Sequence, residues 1–253
     1  MKLQDSVIAI TGGGQGLGRA MAEYFAAKGA SLALIDLMPE KLDEAVTACK
    51  VAGGDARSYV CNVAREPDVE ETFTAIQRDF GKINGLINNA GILRDGMLVK
   101  VKEGEIVKRM SLSEWQSVID VNLTGVFLCG REAATHMIQN GDHGAIINIA
   151  SISRAGNMGQ SNYSSAKAGV ATLVPVWAKE LARHGIRVMG IAPGFIETEM
   201  TQSMKPEALE RMTASIPLKR MGKPDEIAFT AAFIFENDYL SGRIIEVDGA
   251  LRL

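Results

Sequence analysis

The chain has 253 residues, 47% hydrophobic and 23% charged, with a formal net charge of −3 and a pI near 5.7. This is the composition of a globular domain able to bury a large core, and with no basic stripe nucleic acid is excluded as an expected partner. No apolar run approaches the ~20 residues a membrane span needs, and the polar residues 1–6 are too short for a signal peptide, so a soluble cytoplasmic protein without a membrane partner is expected.

In chain order, short β-rich runs alternate with longer amphipathic ones. The pattern predicts strands over 7–11, 31–36, 56–61, 85–88, 145–150, 187–192 and 243–247. Several are apolar throughout, as strands buried on both faces are. Helical patterns fill the gaps at 16–28, 39–52, 67–80, 112–139, 160–183 and 224–235. Pro39, Pro67 and Pro224 sit where first-turn prolines belong, and Ser111 with Glu114 predicts a capping box. Pro175 falls inside the 160–183 pattern and predicts a kink or an end there. Residues 99–108 alternate apolar and charged side chains around a Glu-Gly turn, which is a β-hairpin pattern. Strict β/α alternation predicts an α/β fold: a doubly wound parallel sheet of seven strands, helices on both faces, in one domain over 1–253.

Cys49, Cys61 and Cys129 are odd in number and form no Cys-x-x-Cys pair, so reduced thiols are expected. His136, His143 and His184 are scattered, and no metal site is expected.

Two segments carry chemistry. The turn Thr11-Gly12-Gly13-Gly14-Gln15-Gly16-Leu17-Gly18 follows the first strand and opens a helix. Glycines there permit a tight turn and close approach of backbone N–H groups to a pyrophosphate at the positive helix end. The spacing is Gly-x-x-x-Gly-x-Gly, and without a ligand it would be only a turn. Asp36 ends the second strand 18 residues after Gly18, near the offset of an acid that binds adenosine ribose hydroxyls. A carboxylate there repels a 2′-phosphate, so NAD(H) is expected in preference to NADP(H). The second segment is Tyr163-Ser164-Ser165-Ala166-Lys167, with phenol and ammonium on one helix face. An adjacent ammonium favours phenolate, and such a phenol can exchange a proton with a substrate oxygen. Ser151 follows the 145–150 strand, 12 residues before Tyr163, and can bond the same oxygen; Ser153 is its rival.

With these motifs the chain resembles the short-chain dehydrogenase/reductase family over nearly its whole length. Thr11-Gly12-x-x-x-Gly16-x-Gly18 is similar to the family's cofactor loop, and Asn88-Asn89-Ala90-Gly91 to its central-strand motif. Asn122, Ser151, Tyr163 and Lys167 stand at its catalytic tetrad, and Pro193-Gly194 with Thr198 at its nicotinamide-side turn. The resemblance implies a Rossmann-type fold and a nicotinamide cofactor lined by Gly12, Gln15, Gly16, Leu17, Gly18, Asp36, Asn62, Val63, Asn89, Ala90, Gly91, Tyr163, Lys167, Pro193, Gly194, Ile196 and Thr198. It implies that Tyr163 is general acid in reduction and that Lys167 holds the nicotinamide ribose and lowers the Tyr163 pKa. Ser151 would polarise the carbonyl, and Asn122 would anchor a water in a proton relay.

The segments 159–163, 194–200 and 241–249 look most like 3-oxoacyl-(acyl-carrier-protein) reductases of fatty-acid metabolism. The implied reaction is reduction of a 3-oxoacyl thioester of carrier protein or coenzyme A. Departures are Gln15 where that branch has a basic residue, Asn62 for an adenine-contacting Asp, and Asp142 and His184 where carrier-docking arginines stand, although Arg183 is adjacent. Residues 99–108 look like an insertion, and 195–217 like a substrate lid. The resemblance also implies a homotetramer. The alternatives are an NAD-dependent dehydrogenase of a secondary alcohol, sugar, polyol or steroid, and a non-catalytic nicotinamide-binding sensor.

Overall fold

Among the described residues nine segments form strands, and seven of them join in one sheet. A computed structural model describes residues 1–198 and 206–253. The strands are β1 (Val7–Thr11), β2 (Ser31–Asp36), β3 (Ala56–Val60), β4 (Gly85–Asn88), β5 (Val99–Lys102), β6 (Glu105–Arg109), β7 (Gly144–Ile149), β8 (Ile186–Pro193) and β9 (Ile244–Val247). The large sheet has the order β3-β2-β1-β4-β7-β8-β9 and every pairing in it is parallel. β1, β4 and β7 are buried along their whole length. That explains their mainly apolar character, broken only by the buried Thr11, Asn88 and Asn148, since helices cover both faces.

The helices are α1 (Gly16–Ala26), α2 (Pro39–Val51), α3 (Glu66–Phe80), α4 (Leu112–Ile119), α5 (Gly125–Asn140), α6 (Ser161–Leu181), α7 (Pro206–Ser215) and α8 (Pro224–Glu236). On one face Phe25 of α1 and Phe235 of α8 meet edge to face, with ring centroids 5.8 Å apart, over Ile8, Ile10, Leu32 and Leu34. On the other, Phe73 of α3, Leu128 and Met137 of α5 and Ala178 of α6 pack on Leu86, Ile146 and Val188. The period-3.6 apolar stripes therefore do what the pattern predicts, each burying against one sheet face.

One expectation is corrected, one is narrowed and two elements are added. The 112–139 pattern is not one helix: a π-helical turn over Asp120–Thr124 separates α4 from α5. The π turn lies inside an unbroken helical run, so the helical composition on either side of it does not reveal it. Pro175 does not end α6, which runs on to Leu181. Val170, Val174 and Ala178 are buried on either side of it, and this packing outweighs the lost hydrogen bond. Helix α7 and the 3₁₀ turn Ile152–Ala155 have no counterpart in the pattern reading.

Two expectations hold in detail. Ser111 Oγ accepts from the Glu114 N–H at 3.1 Å, and the Glu114 carboxylate accepts from the Ser111 N–H at 2.8 Å. Strands β5 and β6 pair antiparallel as a separate hairpin, fully exposed along both strands. Among the described residues no helix is long and apolar enough to cross a membrane, and no cluster of metal-ligating side chains occurs. All three cysteines are free and buried.

Candidate active site

The sheet order reverses direction between β1 and β4. The chain leaves their C-terminal ends toward opposite sides, and this opens a crevice there. The loop after β1 runs from Gly12 to Gln15 into the start of α1 at Gly16; the loop after β4 is Asn89-Ala90-Gly91. The two are laced together. Asn89 Nδ2 donates to the carbonyls of Thr11 (3.1 Å) and Gly12 (3.2 Å), and Thr11 Oγ1 accepts from the N–H groups of Asn89 and Ala90 at 3.0 Å each. Gly12 has φ +64°, and a Cβ on it would come within 2.9 Å of Asn89 Nδ2. A Cβ on Gly18 would overlap the Gly12 carbonyl oxygen. Gln15 is exposed at the N-cap of α1 and contributes no side-chain cap, and the first turn holds no acid. The leading N–H groups and positive dipole end of α1 thus face the glycine loop with no acid of the helix's own first turn beside them.

Asp36 reaches the same loop from the end of β2. Its Oδ2 accepts from the Gly14 N–H at 3.1 Å, and its Oδ1 from Leu37 (2.7 Å) and Met38 (3.3 Å). Asn62 follows β3 with its Oδ1 accepting from the Ala64 N–H at 3.0 Å, and Val63 beside it is buried against Gly125. Backbone donors ringed by glycine, with one carboxylate at the edge, fit a dinucleotide's pyrophosphate and ribose.

The reactive groups lie one strand further along. Ser151 follows β7, and its Oγ accepts from the Ser153 N–H at 3.1 Å. Tyr163 opens α6 and stands against Ser151. Burial around its hydroxyl pushes the phenol's pKa up, the hydrogen bond with Ser151 pulls it down, and the Asp95 carboxylate adds to the rise. Lys167 is 3% exposed, and its Nζ donates to the Ile149 carbonyl at 2.7 Å and lies 5.7 Å from the Tyr163 ring centroid. Burial brings its pKa down to about 8. Asn122 sits in the π turn, fully buried, with both ends of its amide on Ile92: Oδ1 accepts from the N–H at 2.8 Å and Nδ2 donates to the carbonyl at 3.0 Å. Asn162 locks the start of α6, donating to the carbonyls of Arg94 (3.0 Å) and Glu114 (3.2 Å).

A family model described as enoyl-(acyl carrier protein) reductase matches residues 12–251. The chain is a short-chain dehydrogenase/reductase. It is 39% identical over 254 residues to a 3-oxoacyl-(acyl-carrier-protein) reductase of Thermotoga maritima, covering 99% of each chain. It is 37% identical to a (3R)-3-hydroxyacyl-CoA dehydrogenase of Mus musculus, over 99% of this chain and 98% of that one. The structure of NAD⁺-bound xylitol dehydrogenase matches with a TM-score of 0.87 at 28% identity, over 99% of this chain and 100% of the other.

In this short-chain dehydrogenase/reductase the expected residues converge. Ser151 reaches the phenol, while Ser153 supplies only its N–H to Ser151. Gly91 touches Asn122, since a Cβ there would lie 3.4 Å from its Oδ1. Pro193 ends β8, and the Gly194 N–H donates to Val247 at 2.9 Å. Ile196 is buried and bridges to Gly222. Thr198 closes the described stretch, whereas Glu199 and Met200 of the 194–200 motif and residues 199–205 of the lid lie outside the described residues. One expectation is corrected: the phenol's pKa is raised, not lowered. Both groups lie in low-dielectric surroundings, where burial favours neutral phenol and neutral amine, and the ammonium turns to the Ile149 carbonyl. Sequence reading assigned no role to Asn162, although it lies in the 159–163 motif, and missed Arg154, whose Nη1 donates to the Ser151 carbonyl at 3.1 Å and whose position carries no motif signal.

The buried ammonium has a consequence for stability. Its proton leaves near pH 8 in the folded chain but at the ordinary 10.5 when unfolded. The unfolded state therefore binds more protons between these values, and stability rises with pH across that window. Below it the fold carries a penalty on the order of 3 kcal/mol. Lys167→Met is expected to be more stable than wild type at pH 7 by about 2 kcal/mol, net of the lost Ile149 hydrogen bond. The gain should vanish by the upper end of the window. Denaturant unfolding at several pH values checks this; a variant less stable at pH 7 overturns it.

Proposed function

We propose that the chain reduces a 3-oxoacyl thioester to the 3-hydroxyacyl thioester, with NADH as reductant and Tyr163 as general acid. The carrying observation is that Ser151, Tyr163 and Lys167 gather at the C-terminal edge of the sheet, beside a glycine cradle whose neighbouring acid is Asp36. The relatives named above for the 3-oxoacyl and 3-hydroxyacyl pair support the substrate class. When bound, the cofactor supplies a hydride to the carbonyl carbon. Tyr163 gives its proton to the carbonyl oxygen as that oxygen becomes alkoxide. A phenol held up by burial enters reduction with its proton in place. The Ser151 hydroxyl orients the same oxygen, and Lys167, 5.7 Å from the ring, supplies positive charge as the phenol gives up its proton. Asn122 holds the 91–92 loop against the cofactor side through its paired bonds to Ile92.

Asp36 carries the cofactor preference, because its carboxylate already accepts from the phosphate-loop N–H of Gly14 and repels a 2′-phosphate. The same reading has the protein acting as a cytoplasmic homotetramer. Phe127 and Val176 leave apolar surface on α5 and α6, and Phe229 and Phe233 on α8. A second reading, oxidation of a secondary alcohol, sugar or polyol, is favoured by the likeness to NAD⁺-bound xylitol dehydrogenase.

Initial-rate reduction of acetoacetyl-CoA with NADH and with NADPH tests the proposal. Turnover with NADH preferred at least about tenfold is expected, and Asp36→Ala should bring that ratio toward one. No turnover with either cofactor, in protein that binds NADH by fluorescence, rejects the thioester reading in favour of the second.

A further inference from the structure

The β5–β6 hairpin is unexplained by the chemistry above. It is amphipathic. Register pairs Lys100 with Lys108 and Lys102 with Glu105 on one face, and Val101 with Ile106 and Val99 with Arg109 on the other. A bulge between Lys100 and Val101 leaves Val107 as the extra residue. Neither face is covered: Ile106 is 67% exposed and Val101 58%. A two-stranded hairpin standing alone is marginal in water. Like charges directly opposite each other weaken it further. Lys108 is partly compensated by Glu114 at 2.7 Å, Lys102 only by Glu103 at 4.0 Å, and Lys100 makes no hydrogen bond or ion pair among the described residues. The ribbon thus concentrates three lysines on one narrow face of a protein whose net charge is −3.

Its root is fixed at the reactive end of α6. The Gly96 N–H donates to the Gly159 carbonyl at 2.8 Å, and Gln160 Nε2 to Asp95 at 2.9 Å. Asn162 binds Arg94 on the entering side and Glu114 on the leaving side. Gly159, Gln160 and Asn162 are the residues that lead into Tyr163. Whatever the hairpin holds is therefore held next to the mouth of the site. The strands rise about 3.4 Å per residue, so the lysine face starts beside the root and extends up to about 17 Å outward from it.

We propose that the lysine face of the β5–β6 hairpin binds the phosphates of a coenzyme A thioester, with the apolar edge of the ribbon lying along the pantetheine arm. This deepens the thioester reading and rests on it for the identity of the reacting end. Anionic phosphate between Lys100 and Lys108 relieves the like-charge pair that the free hairpin carries. Asp95 stands at the root, where it accepts from Gln160, and its carboxylate disfavours an anionic group there, so the phosphate end stays out on the lysine face while the neutral 3-oxo group goes in.

The test uses the whole chain as wild type and as the double variant Lys100→Glu, Lys102→Glu. The first readout is calorimetric binding of free coenzyme A with NAD⁺ saturating, so that the dinucleotide cradle is filled. Wild type should bind, and the variant should bind at least about tenfold more weakly, with an affinity in wild type that falls as salt rises. The second readout is the ratio of kcat/KM for acetoacetyl-CoA to that for the uncharged S-acetoacetyl-N-acetylcysteamine. That ratio should drop about tenfold in the variant. Failure of wild type to bind coenzyme A, or an unchanged ratio, overturns the inference while turnover of the neutral thioester leaves the proposed reaction standing. Coenzyme A binding that depends on the lysines, without turnover of either thioester, sinks the proposed reaction and leaves the hairpin site. A carrier-protein thioester that alone loses turnover in the variant overturns the inference in favour of a protein partner.

Discussion

Tyr163→Phe is expected to lower kcat about a thousandfold while leaving the NADH dissociation constant within about twofold. The change removes only the hydroxyl. The ring remains in place over Lys167, whose bond to Ile149 does not involve the phenol. The loss falls on proton transfer, so the uncharged thioester and the coenzyme A thioester should suffer alike. The pH profile carries a further sign. Because burial raises the phenol's pKa, the free enzyme keeps its acid through neutral pH, and reduction should be level there. Oxidation of the hydroxy thioester needs the phenolate and should climb as pH rises. Stopped-flow rates with fluorescence titration of NADH check both. A Phe variant that retains most of its turnover would remove Tyr163 from the chemistry and revive the non-catalytic sensor reading.

Gly18→Ala has the second large effect, and it acts on binding. A Cβ at this position would overlap the backbone oxygen of Gly12 and press within 2.8 Å of Asn89 Nδ2. Both neighbours are held, Gly12 by a left-handed turn and Asn89 by two carbonyls, so the added methyl displaces the loop as a unit. Overpacking of this kind costs about 1–3 kcal/mol of stability. The displaced N–H groups no longer converge on a pyrophosphate, and NADH affinity should fall at least tenfold, on the order of 1.4 kcal/mol or more. Thermal unfolding and NADH fluorescence titration read the two effects separately. A folded variant that binds NADH as wild type does would show that the loop is a turn and not a phosphate cradle.

The amino-acid order alone set the alternation of strands and helices, because burial on both sheet faces demands apolar strands and one-sided helices. All seven sheet strands lie within two residues of their expected bounds, from β1 to β9. It also determined the hairpin, through period-two alternation, and the family, through motif order. What it could not determine depends on neighbours far along the chain. Whether Ser151 or Ser153 meets the phenol depends on how the turn after β7 faces the start of α6. The π turn at Asp120–Thr124 leaves the chain helical on both sides and appears only once Asn122 is seen bonded to Ile92. Pro175 obeys the packing of α6 and not its own helix-breaking tendency. The acidity of Tyr163 is the sharpest case. The i, i+4 spacing places the ammonium on the same helix face, but only the folded interior makes desolvation of the phenol exceed the pull of its hydrogen bond with Ser151.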